Sequence, residues 1–125
     1  MMVRGIRGAV TVEADNGDDV LDATEELIGE MIERNELEPE RVAQVLITVT
    51  EDLVSAFPAK ALRRFKGWAY VPVTCAREIP VPGSLPRCIR ILMTVNTSIA
   101  QQDIRHIYLR EAKQLRPDLA LTREK

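Results

Sequence analysis

The residue pattern predicts an α+β (α/β-like) fold in one domain, and three observations predict it. Residues 87–97 alternate as a strand, with Ile89, Ile91, Met93 and Val95 on one side and Cys88, Arg90, Leu92 and Thr94 on the other. Residues 18–34 repeat apolar side chains at helical spacing. Shorter apolar alternations, bounded by Gly, Pro and acidic residues, fill much of the rest. A chain of 125 residues is one domain, 1–125, long enough to bury a core without staples. Apolar residues on both sides of 87–97 mark a central strand covered on two faces. They also place Arg90 where a guanidinium needs an anion beside it. A protein carboxylate or the anion of a ligand would meet that need, and the strand alone leaves both open.

The first element is a strand over 2–13, with Ile6, Val10 and Val12 on one face and Arg7 on the other among Gly5, Ala9 and Thr11. Small neighbours around Arg7 let a backbone or a ligand approach; a solvated sheet face explains the pattern equally well. Residues 15–19 (DNGDD) supply a turn, an N-cap and acids for the positive end of a helix over 18–34. Val20, Ala23, Thr24, Leu27, Ile28, Met31 and Ile32 make its apolar stripe, opposite a solvated acidic face of Asp22, Glu25, Glu26 and Glu33. Pro39 opens a helical turn, and 44–50 is the second strand. Strand, long helix, strand in that order predicts a right-handed crossover joining a parallel pair.

A short helix over 55–67 follows, opened near Pro58 and closed by Gly67. Its Lys60, Arg63, Arg64 and Lys66 form a basic face that either meets water or points to an anionic ligand. Residues 68–74 read as a third strand, in which Pro72 argues for an edge or a bulge; an edge would need covering by a partner. Pro80, Pro82 and Pro86 stiffen the approach to the Arg90 strand. Residues 104–109 make a last strand, 110–114 a helical turn, and 116–125 an extended C-terminal tail.

Composition removes whole classes of function. The net charge of −2 gives no basic surface for nucleic acid or an acidic membrane. No apolar run approaches the roughly 20 residues of a membrane span, and the first residues lack a signal-peptide core. Cys75 and Cys88 form no CxxC, so a cytoplasmic, reduced protein is expected. His106 is the only histidine, which leaves little for metal binding or Ser-His and Cys-His catalysis, and a structural role suits it. No phosphate-binding glycine motif is present.

The unusual residues are Arg7, Arg90 and Arg116 with Lys60 and Arg63, one carboxylate at Glu78 and one phenol at Tyr108. They suit a small polyanion. They are a poor set for proton transfer, because no carboxylate or histidine pair stands out. Catalysis by orientation and charge stabilisation, without a covalent intermediate, fits them.

The segments 4–9 (RGIRGA), 57–60 (FPAK), 70–75 (YVPVTC), Glu78, 87–90 (RCIR), 104–109 (IRHIYL) and 115–119 (LRPDL) together resemble the monofunctional trimeric chorismate mutases, the AroH class. The resemblance implies a mixed β-sheet packed by helices on one side, in a homotrimer whose sheets form a central pseudo-α/β-barrel. It implies a Claisen-type rearrangement of chorismate to prephenate in clefts between subunits, an isomerase reaction of phenylalanine and tyrosine biosynthesis without cofactor or metal. By the same resemblance Arg90 donates to the ether oxygen, Arg7 holds a carboxylate, and Glu78 with the Cys75 backbone holds the ring hydroxyl. Tyr108 contacts a carboxylate; Phe57, Ala59, Val73, Thr74 and Leu115 line the cleft; Lys60, Arg63 and Arg116 complete the cationic surround. The same arginines would also serve a non-catalytic trimeric module binding a dicarboxylate or a phosphorylated metabolite. A trimeric enamine/imine deaminase is a third reading, which Glu78 and the 115–117 stretch disfavour.

Overall fold

The computed structural model describes residues 1–115, so Arg116 and the expected tail over 116–125 lie outside the described residues. A five-stranded mixed sheet has the order β3-β2-β4-β1-β5, built from β1 (Met2–Thr11), β2 (Val42–Val49), β3 (Val73–Arg77), β4 (Cys88–Thr97) and β5 (Ile107–Tyr108). One long helix, α1 (Gly17–Asn35), joins β1 to β2. The remaining helical segments are 3-10 turns at Pro39–Arg41, Pro58–Arg64, Gln101–Asp103 and Arg110–Leu115.

The alternation of β4 sets the architecture. Ile89, Ile91, Met93 and Val95 are all buried and face the apolar stripe of α1, with Val20, Ala23, Leu27, Ile28 and Met31. Helix and β1 approach closely at Gly8, where a Cβ would come within 2.7 Å of Met31 Sδ. Asn16 caps α1 as its side-chain oxygen accepts from the Asp18 and Asp19 amides. At the other end Glu36 turns left-handed and the Leu37 amide donates to Ile32 O.

Several expectations change. β1 and β2 are not a hydrogen-bonded pair: β4 lies between them, antiparallel to each. The strand with the most continuous apolar alternation takes the centre, and the crossover spans it. Only the last two residues of 68–74 are strand: β3 begins at Val73 and does form an edge of the sheet. Trp68 plugs the core from a turn closed by Val71 N–H donating to Trp68 O, and pairing with β2 begins only at Pro72, whose carbonyl accepts from Val45 N–H. Residues 55–67 form a 3-10 rather than an α-helix, over Pro58–Arg64. The last strand shrinks to two residues because Asn35, at the end of α1, takes the Arg105 amide on its Oδ1 and donates to Arg105 O. The acidic face of α1 is partly neutralised, as Arg64 bonds Asp22 at 2.8 Å and Glu25 at 2.6 Å. Those two hydrogen bonds raise the already high basicity of Arg64.

β4 is also not sealed on both faces. Leu92 is 41% exposed and its paired neighbour Leu46 37% exposed, so α1 covers one face and the opposite face lies largely open. Only a small cluster of Ala9, Cys88, Tyr108 and Ala112 covers part of it.

Candidate active site

The register of the sheet lines up one rung of side chains on the open face. Tyr108 of β5 pairs with Ala9 of β1, Ala9 with Arg90 of β4, Arg90 with Thr48 of β2, and Thr48 with Ala76 of β3. Directly paired residues share a face. Ala9 is small enough to leave a gap between the phenol and the guanidinium, as Ala76 does beside Thr48. A cleft of about 310 Å³ opens over this rung, lined among others by Arg7, Thr48, Arg90, Leu92, Tyr108 and Leu115.

Polar groups here are incompletely satisfied. Among the described residues, Tyr108 Oη and Arg90 Nε are both buried atoms without a hydrogen-bond partner. Arg90 Nε does lie 3.0 Å from Glu78 Oε2, so the two charges attract, but its N–H is not aimed along that line. The carboxylate is itself anchored by Thr48 Oγ1, which donates to Oε2 at 2.7 Å. Glu78 reaches this position because its amide donates to Val49 O, extending the β2–β3 pairing past Arg77. Of the two partners left open for Arg90, the protein carboxylate is therefore present, and it is a residue of the candidate site. The guanidinium side chain remains about a third exposed on the cleft.

Backbone clamps fix the elements that carry these groups. Asp52 accepts from the Arg87 amide at 2.9 Å, and Thr50 Oγ1 accepts from the Cys88 amide, which sets the start of β4 two residues before Arg90. Arg87 holds a left-handed φ of 49° there. His106 Nδ1 accepts from the Arg7 amide at 3.0 Å, a structural use of the single histidine. Burial pushes the Cys88 thiol up to about 11, against the opposing charge of Arg90. That thiol is not a nucleophile near neutrality.

A family model described as chorismate mutase type I matches residues 3–119. The chain belongs to that family. It is 52% identical over 123 residues to the chorismate mutase AroH of Bacillus subtilis (strain 168), covering 98% of this chain and 97% of that one. It is 56% identical over 119 residues to the chorismate mutase AroH of Thermus thermophilus, covering 94% and 97%. A solved chorismate mutase from Clostridium thermocellum superposes with a TM-score of 0.85 at 45% identity, over 88% of this chain and 97% of that one.

Within the single chain of this type I chorismate mutase the expected site residues fall into two groups. Arg7, Arg90, Tyr108 and Leu115 share the cleft, with Glu78 against Arg90. Phe57, Ala59, Lys60 and Arg63 sit on or next to the 3-10 helix Pro58–Arg64, and Val73, Thr74 and Cys75 on β3, at the far edge of the sheet. Val73 and Cys75 pack against the inner core, as does Ala59, while Phe57, Lys60, Arg63 and Thr74 are exposed. Among the described residues neither Lys60 nor Arg63 has an ion-pair partner, whereas Arg64 is pinned to α1. Thr48 is the polar cleft residue that sequence reasoning passed over, as it did the apolar Leu46 and Leu92. Its signal was the outward half of the alternation Leu46, Thr48, Thr50, legible only once β4 is known to be the neighbouring strand. Among the described residues no cluster of His, Cys, Asp or Glu could hold a metal ion.

Proposed function

We propose that this chorismate mutase converts chorismate to prephenate through the cleft over the Tyr108–Ala9–Arg90–Thr48–Ala76 rung. One observation carries the assignment of the site. Two cations and a buried phenol with no hydrogen-bond partner among the described residues line one small cavity, with a carboxylate against one of the cations. Buried polar groups without partners are rare in folded proteins, and a ligand that completes them explains them.

The reaction breaks the ether C–O bond and forms a C–C bond within one molecule, so no proton, hydride or leaving group changes hands. Negative charge grows on the ether oxygen as the bond stretches. Arg90 donates to that oxygen, an interaction stronger in the transition state than in the bound substrate. A preorganised donor of this kind contributes about 3–4 kcal/mol. Arg7 takes one of the two carboxylates, for which a planar guanidinium fork is better matched than an ammonium. Tyr108 Oη supplies a donor to a carboxylate, and Glu78 accepts from the ring hydroxyl. Apolar walls from Leu92 and Leu115 keep these contacts in a lowered dielectric.

The homotrimer belongs to the same proposal, as do the roles of the residues beyond this cleft. The paired, exposed Leu46 and Leu92 give the open sheet face a surface to bury, and the separation of the two groups of site residues supports a site shared between subunits. The exposed edge bearing Phe57, Lys60, Arg63 and Thr74 would then close the cleft of a neighbour, with Arg116 as a further cation. A single domain working in the cytoplasm suits this reading; no described helix is long and apolar enough to cross a membrane. Mixing the purified protein with chorismate tests the proposal: chorismate absorbance disappears and prephenate accumulates. Unchanged chorismate at micromolar protein overturns it.

A further inference from the structure

We propose that Thr48 is a positioning residue that keeps Arg90 and Glu78 from locking into a two-bond fork, so that both retain hydrogen-bonding capacity for the substrate. A carboxylate left alone beside an arginine settles into a fork with two parallel N–H···O bonds. That arrangement would occupy both oxygens of Glu78 and an edge of the guanidinium. The structure shows a split pair instead. Thr48 Oγ1 takes Glu78 Oε2 at 2.7 Å, and Arg90 Nε stands 3.0 Å from that oxygen without a hydrogen bond. Among the described residues Glu78 Oε1 accepts from no protein group.

The placement of Thr48 makes it suited to this task. It lies on β2 directly between Arg90 of β4 and Ala76 of β3, and it lines the cleft itself. Ala76 is small, which leaves Glu78, two residues further on, room to fold back toward the rung. A β-branched residue on an interior strand has a narrow choice of χ1, so the hydroxyl is held in place rather than searching for its acceptor. The free Oε1 then accepts from a hydroxyl of the substrate while Arg90 donates to the breaking bond. Thr48 touches neither reacting carbon; it acts through Glu78. This inference rests on the proposed function, since it needs chorismate as the ligand that completes the pair.

A double-mutant cycle on the full-length enzyme tests it. Thr48→Val keeps the shape of the side chain and removes the donor, and kcat/KM for chorismate falls about tenfold, the usual effect of losing one hydrogen bond to a charged group. Thr48→Ser restores activity close to wild type, and the thermal unfolding midpoint stays put in both variants. In a Glu78→Ala background the same Thr48→Val change costs less than about twofold, because the side chain it positions is already gone. Should Thr48→Val not fold, Thr48→Ala against Thr48→Ser makes the same comparison. Equal losses in both backgrounds, or wild-type turnover by the valine variant, overturn the role of Thr48 alone. Absence of turnover by the wild-type enzyme overturns the functional reading on which it stands.

Discussion

Ile89 and Arg90 are neighbours in sequence, yet they belong to two regions under opposite physical demands. The inner face of the sheet, where Ile89 points, is saturated: its aliphatic side chains are buried against α1 and make one continuous core. The outer face, where Arg90 points, carries buried atoms unpaired among the described residues, a partly buried ion pair and exposed leucines. The contrast teaches that folding of the chain is carried by one face, which leaves the other free to hold groups that a stable core would not tolerate. Substitutions on the two faces should therefore separate stability from turnover.

The largest effect is expected inside. Ile89→Ala removes a fully buried side chain from β4 and should lower unfolding free energy by about 2–5 kcal/mol in denaturant titrations. That is a large part of the total for a domain of this size. One residue on, Arg90→Lys should leave the unfolding midpoint nearly unchanged and reduce kcat/KM at least about a hundredfold, since a lysine point charge replaces a fork. A lysine variant with near wild-type turnover would remove Arg90 from the mechanism. An alanine variant at Ile89 with wild-type stability would break the contrast from the other side.

Leu92→Asp probes the outer face without touching a charge already there. As an exposed position in an isolated subunit it should cost within about 0.5 kcal/mol. If the face is buried between subunits, a carboxylate there is far more costly. On the proposed trimer, the expected outcome is dissociation in analytical ultracentrifugation, with a folded circular dichroism spectrum and reduced turnover. A variant that still sediments as wild type would place the subunit contact elsewhere.

Much of the inner face was legible in the sequence, because burial against a helix leaves a periodic record. The stripe of α1 and the alternation of β4 predicted the buried residues, and the 15–19 stretch predicted the helix start to within a residue, the structure naming Asn16 as its cap. Strand adjacency was not legible. Nothing local to 2–13 or 44–50 says that a third strand from 88–97 inserts between them, and the order of a sheet is a property of long-range pairing. That gap hid Thr48, whose importance depends on which strands flank it. Trp68 misled for a related reason: an aromatic in an apolar run fills a core equally well from a turn as from a strand. The outer residues were recognised through their resemblance to a family rather than through periodicity. Arg90 on its strand was compatible with a carboxylate or a ligand, and the structure supplies the first in a form that leaves room for the second.

Cys88 sharpens the comparison most finely, since it sits on the outer side of β4 yet within the small sealed cluster with Ala9, Tyr108 and Ala112. Burial raises its thiol from 9.0 to about 11 in the folded chain, despite the nearby Arg90 charge. As pH rises past 9 the unfolded chain therefore releases this proton first, and between 9 and about 11 the unfolded state binds fewer protons than the folded one. Stability from this group is complete below 9 and declines as pH climbs toward 11. Denaturant titrations should show a loss of about 1 kcal/mol between about pH 8 and about pH 10 that Cys88→Ser lacks. Because the thiol stays protonated throughout the neutral range and the rearrangement moves no proton, the rate between about pH 6 and 9 should show no limb from this residue. Matching pH slopes for wild type and Cys88→Ser would mean that water reaches the cluster, and that the outer face is open over the whole of β4.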